Sequence, residues 1–267
     1  MTERAAVDRT TQPNTVETLG RDLARLGLAG GDTVLVHASL SAIGWVCGGP
    51  VALIQALLGV VGQQGTIVMP AHTSDNSDPA GWRNPPVPAD WVETIRATLP
   101  GFQVDITPSR AMGRIAECFR TCPGVLRSDH PQVSFVAKGR LAQAVTAQHA
   151  LPPGLGPDSP LGALYRCQAK ILLLGVGYSS CTSFHLAEVL SGKVPLVTAG
   201  CAMFDHGRRV WRWFEDIDYD SEDFGQIGTD LDASAAVSIG QVGCAPSRLM
   251  DLTVAVDFAR DWLARHR

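Results

Sequence analysis

One short segment of the chain brings together side chains that support acid–base chemistry. In Cys181-Thr182-Ser183-Phe184-His185-Leu186-Ala187-Glu188, an imidazole and a carboxylate stand three residues apart. Residues at this spacing share one face of a helix, so Glu188 is placed to orient His185. Thr182 and Ser183 stand where the helix begins and where free backbone N–H groups favour a developing oxyanion. The segment therefore predicts a general base beside an oxyanion site.

Spacing alone leaves other interpretations of this segment open. A capped helix carrying an ordinary His185–Glu188 surface pair would need no function at all. The same pair offers two metal ligands, but two ligands do not make a site, and no matching His/Cys cluster accompanies them. We therefore predict no metal. Cys181, four residues before His185, could also act as a thiol nucleophile beside a base.

Two other stretches have compositions that bear on ligand binding. Residues 175–180 follow an apolar run as a dinucleotide fingerprint would, but Ser180 replaces its third glycine and no carboxylate follows near 20 residues on. This disfavours a dehydrogenase. Residues 215–223 hold six carboxylates and follow Trp211 and Trp213 directly. Such a run is either a solvated acidic turn or a surface for a ligand with several ammonium groups.

The elements that position these residues follow from the hydrophobic pattern. Apolar runs at residues 33–37 and 66–69 predict buried strands, and the helix that begins at Pro50 lies between them, as in a parallel βαβ unit. Residues 170–174 predict a further strand, followed by a helix over residues 182–190. Helices are also predicted from Thr15 and over residues 109–120, 140–149 and 247–265, strands over 133–137, 194–197 and 208–214, and loops over 38–49 and 71–90.

Together these elements predict an α/β protein with a mixed α/β/α sandwich. Parallel βα units come first, and an antiparallel portion lies toward the C-terminus. We expect one domain over residues 1–267, with a long loop at about 71–90 that holds Trp82. Loops of that length inside compact domains are usually functional or disordered.

Composition narrows the classes of function. The chain has 267 residues, 45% hydrophobic and 18% charged, which favours a globular enzyme over a disordered chain. Its net charge of −4 does not favour a nucleic-acid partner. The longest apolar runs are too short for a membrane span, and the polar N-terminus has no signal core, so we expect a cytoplasmic protein without a membrane partner. The seven cysteines are scattered, as is typical of reduced thiols.

Several separated stretches, taken in order, resemble the aminoglycoside 3-N-acetyltransferase family, which is distinct from the GCN5-type acetyltransferases. Val36-His37-Ala38-Ser39-Leu40-Ser41 with Gly44 is similar to the family's first loop, and Gly65–Pro70 to its second strand. Residues 127–139 match a central block of the R-S-x-H-P…S-F…G type. Ser159-Pro160-Leu161-Gly162 matches a turn, and residues 173–188, with Thr182, His185 and Glu188, match the most diagnostic signature. The resemblance spans about residues 15–265.

The resemblance implies a reaction and its participants. Acetyl-CoA would be the donor, and the 3-amino group of a 2-deoxystreptamine aminoglycoside the acceptor, which would confer antibiotic resistance. His185 would be the general base, Glu188 its orienting carboxylate, and Thr182 the group that holds the thioester carbonyl, with Ser183 as the substitute. The donor channel would be lined by Ser39, Leu40, Ser41, Arg127, Ser128, Ser134 and Ser159.

Acceptor binding is implied for the carboxylates of the loop and of the acidic run: Asp75, Glu215, Asp216 and Asp218. The family pattern gives no place to Trp82, Trp91 or Cys181. Two alternatives stay open: a protein of the same fold that acetylates another amine, and a non-catalytic binder of amino sugars that would have no use for His185. A homodimer is left open.

Overall fold

A mixed seven-stranded sheet forms the centre of the molecule. The computed structural model describes residues 3–267, and its strand order is β3-β4-β2-β1-β5-β9-β8, with β6 and β7 in a separate two-stranded sheet. Strands β1, β2 and β5 are parallel, and the outer strands are antiparallel to their neighbours. The strands are β1 (Thr33–Ala38), β2 (Thr66–Pro70), β3 (Leu126–Arg127), β4 (Phe135–Gly139), β5 (Lys170–Leu174), β6 (Leu196–Asp205), β7 (Arg208–Ile217), β8 (Val237–Val242) and β9 (Ala245–Asp251).

Helices cover both faces of this sheet. Alternate residues of a strand point to opposite faces, and Leu35 of β1 accordingly lies in one hydrophobic core while Val34 and Val36 lie in the other. The helices are α1 (Glu3–Arg9), α2 (Val16–Leu26), α3 (Leu40–Ile43), α4 (Gly49–Val61), α5 (Val92–Thr98), α6 (Gly113–Arg120), α7 (Ala142–Thr146), α8 (Pro160–Arg166), α9 (Ser183–Ser191), α10 (Phe224–Asp232) and α11 (Leu252–His266). The predicted α/β/α sandwich is confirmed.

Local signals determine where α2 begins and ends. Thr15 accepts a hydrogen bond from the Thr18 N–H at 3.2 Å, and Thr18 Oγ1 accepts one from the Thr15 N–H at 2.9 Å. This reciprocal cap satisfies N–H groups that the helix cannot bond itself. Gly27, with a φ of 111°, ends the helix in the left-handed region.

The C-terminal region differs from the prediction of a helix over residues 247–265. Residues 245–251 form β9, which pairs with β5 on one side and β8 on the other, and only residues 252–266 are helical. Leu249 and Met250 are both buried, and Leu249 pairs with Leu172 in the sheet interior. Pairing with two strands therefore overrides the helical pattern there.

Other predicted boundaries also shift. Helices α6 and α7 are shorter than the predicted 109–120 and 140–149, and the predicted loop at 38–49 contains the short helix α3. Strands β6 and β7 pair along all ten residues each, beyond the predicted 194–197 and 208–214. His206 and Gly207, both with positive φ, form the tight turn that the twist of a hairpin favours.

The loop at 71–90 is only partly irregular. One-turn 3-10 helices occupy Pro79–Gly81 and Ala89–Trp91, and Arg96 of α5 binds Asp78 through two hydrogen bonds of 2.9 Å. The loop is thus tied to the following helix. None of the helices in residues 3–267 combines the length and apolar character needed to cross a bilayer.

Candidate active site

The parallel strands define the edge of the sheet where the site lies. Because β1, β2 and β5 run in one direction, the segments that follow them meet at the same edge. A cavity of about 590 Å³ opens there. Its lining includes His37, Ser39, Leu40, Ser41, Pro70, His72, Met112, Arg114, Val176, Ser180, Thr182 and His185.

His185 and Glu188 form the pair that the helical spacing predicts. His185 Nδ1 lies 2.6 Å from Glu188 Oε2, and the imidazole is 18% exposed while the Glu188 side chain is fully buried. The ring packs edge-on against Tyr219 and at a tilt against Phe224. Since the carboxylate accepts the Nδ1 proton, Nε2 is left with its lone pair on a ring that lines the cavity. This is the tautomer that a general base requires.

Glu188 has a second set of partners. Its Oε1 lies 2.5 Å from Arg267 Nη1 and accepts a 3.3 Å hydrogen bond from the Asp220 N–H. Both oxygens of this buried carboxylate therefore have donors, as a buried charge requires. The surface-pair interpretation of His185 and Glu188 does not fit, because the carboxylate has no exposed surface.

The start of α9 faces the same cavity. Thr182, 9% exposed, immediately precedes the helix and lines the cavity, and the first N–H groups of a helix lack partners within it. Ser183, by contrast, is fully buried, and its Oγ has no hydrogen-bond partner. Of the two hydroxyls, only that of Thr182 is in the cavity lining.

Two further histidines line the cavity. Burial, with a smaller contribution from His185, lowers the pKa of His37 to about 4. Burial, with smaller contributions from nearby histidines and from Arg127, lowers that of His72 to about 3. Both rings are therefore neutral near pH 7, and the Nε2 of each is buried without a hydrogen-bond partner. Sequence reasoning included His37 only within a family block and missed His72, although both stand near the carboxyl ends of adjacent parallel strands.

The first loop supplies part of the predicted donor channel. Ser39, Leu40 and Ser41 all line the cavity, and Ser39 Oγ lies 3.1 Å from Ser41 Oγ. Leu40, Ser41 and Arg114 also line a neighbouring cavity of about 470 Å³, next to Gly49 at the start of α4. The two cavities therefore share one wall.

Arg127 and Ser134 differ from the prediction that they line this channel. Arg127 donates to Ser134 Oγ at 2.9 Å, to the Ala71 carbonyl at 2.8 Å, and to the carbonyls of Val104 and Thr107. Ser134 is fully buried and donates to the Ala71 carbonyl at 2.8 Å. Neither residue lines either of the two cavities. Their polar atoms instead link the 104–107 loop to Ala71, directly after β2.

Ser128 and Ser159 differ from the prediction in the same way. Ser128 accepts from the Phe135 N–H at 2.9 Å and donates to His149 Nδ1 at 2.8 Å. Ser159 caps α8, accepting from the Leu161 N–H at 3.2 Å. Both are buried and bonded internally, so their hydroxyls have an architectural role and do not line the cavities.

The predicted acceptor carboxylates also lie outside the main cavity. Asp75 lines a third cavity of about 410 Å³ with Trp82 and Arg83, and it lies 3.7 Å from Arg110 in a half-exposed ion pair. Trp82 donates to Ser77 Oγ at 2.9 Å. Trp91 is 56% exposed and is not in this lining.

The carboxylates of the acidic run differ in exposure around the end of β7. Glu215 and Asp218 are exposed, whereas Asp216 is 7% exposed and accepts from the Gly154 N–H and from the Tyr219 hydroxyl, each at 3.3 Å. Burial raises the pKa of Asp216 against the effect of these hydrogen bonds. Asp216 therefore binds Gly154 and Tyr219 of its own chain, whereas the prediction was direct contact with the acceptor.

Cys181 does not have the character of a reactive thiol. It is fully buried, and burial raises its pKa to about 12. The thiol is therefore protonated at neutral pH, whereas the nucleophilic form of cysteine is the thiolate.

Fold and site together define an α/β enzyme with a carboxylate-oriented histidine at the carboxyl edge of a parallel sheet. The sequence model described as "aminoglycoside 3-N-acetyltransferase" matches residues 35–264. The chain therefore belongs to the aminoglycoside 3-N-acetyltransferase family, as its sequence motifs predict, and it is an acyltransferase.

The similarity to individual relatives extends over nearly the whole chain. It is 46% identical over 257 residues to the SPbeta prophage-derived aminoglycoside N(3')-acetyltransferase-like protein YokD of Bacillus subtilis (96% of this chain, 94% of the relative), whose crystal structure superposes with a TM-score of 0.97 over 98% of each chain. Aminoglycoside N(3)-acetyltransferase VII of Streptomyces paromomycinus is 37% identical (98% and 96% covered). AAC-IIIb, solved as a binary complex with CoASH, is 33% identical with a TM-score of 0.83 (95% and 97% covered).

Proposed function

We propose that this enzyme transfers the acetyl group of acetyl-CoA to the 3-amino group of a 2-deoxystreptamine aminoglycoside, with His185 as general base, and so confers resistance. One observation carries the assignment of the base. Nδ1 of His185 is engaged by the buried Glu188, and the ring borders the cavity with Nε2 available. The substrates are proposed from the family, and the CoASH complex of AAC-IIIb supports the donor.

The reaction balances without a covalent enzyme intermediate. The acceptor nitrogen attacks the thioester carbon, and the new C–N bond forms as the nitrogen proton passes to His185 Nε2. The C–S bond then breaks, and the thiolate of CoA leaves with the proton that His185 had taken, which returns the imidazole to its neutral form. Because a protonated amine has no lone pair, attack depends on a base that is neutral at working pH, and such help is worth roughly 10²–10⁴-fold in rate.

Charge on the thioester oxygen is stabilised at the start of α9. The Thr182 hydroxyl lies in the cavity lining, and the N-terminal end of a helix carries partial positive charge. Donors already in place when an oxyanion forms need no reorganisation. Thr182 is therefore the proposed oxyanion contact.

The donor is proposed to follow the shared wall of the two cavities. Leu40 and Ser41 border both spaces, and Arg114 is a cation within reach of either. A pantetheine arm fits the cavity that contains His185, and the phosphates of CoA fit the side with Arg114, since guanidinium groups bind phosphate well.

The acceptor is proposed to approach past the exposed carboxylates Glu215 and Asp218 and the half-exposed Asp75. Exposed ammonium–carboxylate contacts are screened by salt, so the acceptor KM should rise with ionic strength. A KM that does not change with salt would remove these carboxylates from the binding surface.

A second candidate function is acetylation of another amine. The cavity that contains Asp75 also contains Arg83 and Arg110, and Arg110 pairs with Asp75. A polycation gains little from a carboxylate already paired with arginine, whereas an amine that carries an anionic group would fit the two guanidinium groups.

One assay separates these functions. Thiol release from acetyl-CoA is followed with a panel of aminoglycosides and with amines that carry a carboxylate or phosphate. We expect release with at least one aminoglycoside, and the acetyl group on the 3-nitrogen by NMR. Release only with the anionic amines would favour the second function, and release with neither panel would contradict both. The cytoplasmic location and the homodimer stay predictions.

A further inference from the structure

Among residues 3–267, Arg267 is the one guanidinium group that contacts the buried carboxylate behind the proposed base. Its Nη1 lies 2.5 Å from Glu188 Oε1, while His185 Nδ1 lies 2.6 Å from the other oxygen, Oε2. Glu188 thus bridges an imidazole and a guanidinium, one on each oxygen. A side chain far away in sequence completes the surroundings of the base.

Three separate contacts fix the position of Arg267. Besides Glu188, its Nε lies 2.8 Å from Asp223 Oδ2, and its Nη2 donates to the Asp220 carbonyl at 3.0 Å. The side chain is only 20% exposed. A guanidinium bonded in three directions holds its geometry far better than a surface ion pair, which gains little and moves freely.

The charge balance of the site depends on this contact. A fully buried carboxylate needs a nearby cation. If His185 were the only candidate, Glu188 would favour the imidazolium, which has no lone pair and cannot accept a proton. With Arg267 in place, the charge of Glu188 has a partner on Oε1 that is independent of His185, while Oε2 orients the imidazole.

We propose that Arg267 is a positioning residue for catalysis, which neutralises Glu188 so that His185 can remain an uncharged base with Nε2 toward the cavity. This inference rests on the proposed function of His185. Other ionisable groups also face the pair: Asp220 and Asp223 ahead of α10, Tyr219 against the imidazole ring, and His37 and His72 across the cavity.

The test is the pH profile of kcat/KM for Arg267→Gln, which keeps a donor and removes the charge. Without the cation the imidazolium is favoured, so the acid limb of the profile should move up by about one pH unit. Activity should then fall by up to about tenfold on the acid limb and recover toward wild type at alkaline pH. Arg267→Lys should restore the position of the limb.

Two controls keep the outcomes distinct. Arg265→Gln removes the same charge two residues earlier, at an exposed position of α11 where Arg265 donates to the Asp261 carbonyl, and it should leave the profile in place. All variants use one acceptor, so titration of the amine itself cancels. An Arg267→Gln loss that is equal at every pH would indicate a purely structural role and overturn the inference, as would an unchanged profile.

His185→Asn, assayed in the same series, separates this inference from the function on which it depends. If His185→Asn retains wild-type activity, the proposed base is wrong. If that variant is inactive and Arg267→Gln titrates as wild type does, only the role of Arg267 is wrong.

Discussion

Two blocks of the chain match the family pattern, residues 127–134 and residues 182–188, but they do different work. In the first block, Arg127, Ser128 and Ser134 each bond to other segments of the chain and lie outside the lining of both cavities near His185. In the second, His185 binds Glu188 through one ring nitrogen, and the residue lines the cavity. A match to a family motif identifies residues that the fold or the reaction needs, but it does not separate the two.

The two blocks differ in whether a polar group keeps a free lone pair or proton at a cavity. Buried polar groups whose partners are all internal stabilise one arrangement of the chain. Chemistry needs a group with a free lone pair or proton at a space that a substrate can enter. His185 meets that criterion, and Arg127 does not.

The most severe test of this difference between the two blocks is to replace the proposed base, His185. We expect His185→Asn to lower kcat by roughly 10²–10⁴-fold, because the amide can still donate to Glu188 but cannot take a proton. Thermal unfolding should change little. Thiol release and the melting temperature measure the two effects.

Its matched control is His206→Asn at the hairpin turn, where the side chain is 98% exposed and asparagine tolerates the positive φ. Equal activity of the His185→Asn and His206→Asn proteins would remove His185 from the mechanism.

Arg127→Met tests the opposite block. Removal of the guanidinium leaves four acceptors without their shared donor: Ser134 Oγ and the carbonyls of Ala71, Val104 and Thr107. We therefore expect the free energy of unfolding to fall by about 3 kcal/mol. Urea unfolding measures it. Arg25→Met, at an exposed helix position, should stay within about 0.5 kcal/mol. Wild-type stability of Arg127→Met together with a large loss of kcat would restore Arg127 to the active site.

Histidines with a lowered pKa should also make the stability of the protein sensitive to acid, among them His130 in the first block and His149, which bonds to Ser128 of that block. Burial lowers the pKa of His130 to about 4 and of His149 to about 3, from an ordinary value of 6.5. Since the unfolded chain binds these protons first, stability is complete above pH 6.5 and is lost as pH falls from 6.5 toward 4.

We expect each of the two histidines to account for about 2 kcal/mol of this loss by pH 5. Urea unfolding at pH 7.5 and pH 5 measures it, and His149→Gln should make the difference between the two pH values smaller. The same difference in wild type and His149→Gln would show that His149 is not held neutral.

The smallest effect is expected at Cys181. Because burial raises its pKa to about 12, Cys181→Ala should leave kcat unchanged and cost about 1 kcal/mol of stability. Mass spectrometry after iodoacetamide should find the exposed Cys47 alkylated and Cys181 intact. Loss of turnover in Cys181→Ala, but not in Cys47→Ala, would revive the thiol mechanism.

The sequence predicts what depends on local periodicity and spacing. The parallel strands β1, β2 and β5, the cap at Thr15 and the His185–Glu188 pair all follow from neighbours within a few residues. The sequence does not predict features that depend on partners distant along the chain. Strand β9 forms because β5 and β8 flank it, and Asp216 is buried because Gly154 and Tyr219 lie above it. His72 and Arg267 reach the site through topology alone.

The most direct test of the central claim is a structure with CoA and an aminoglycoside bound. We expect the acceptor 3-nitrogen within roughly 2.6–3.2 Å of His185 Nε2, or joined to it by one water, with the CoA sulfur in the same cavity. An acceptor nitrogen out of reach of this ring, with the sulfur in another cavity, would contradict it.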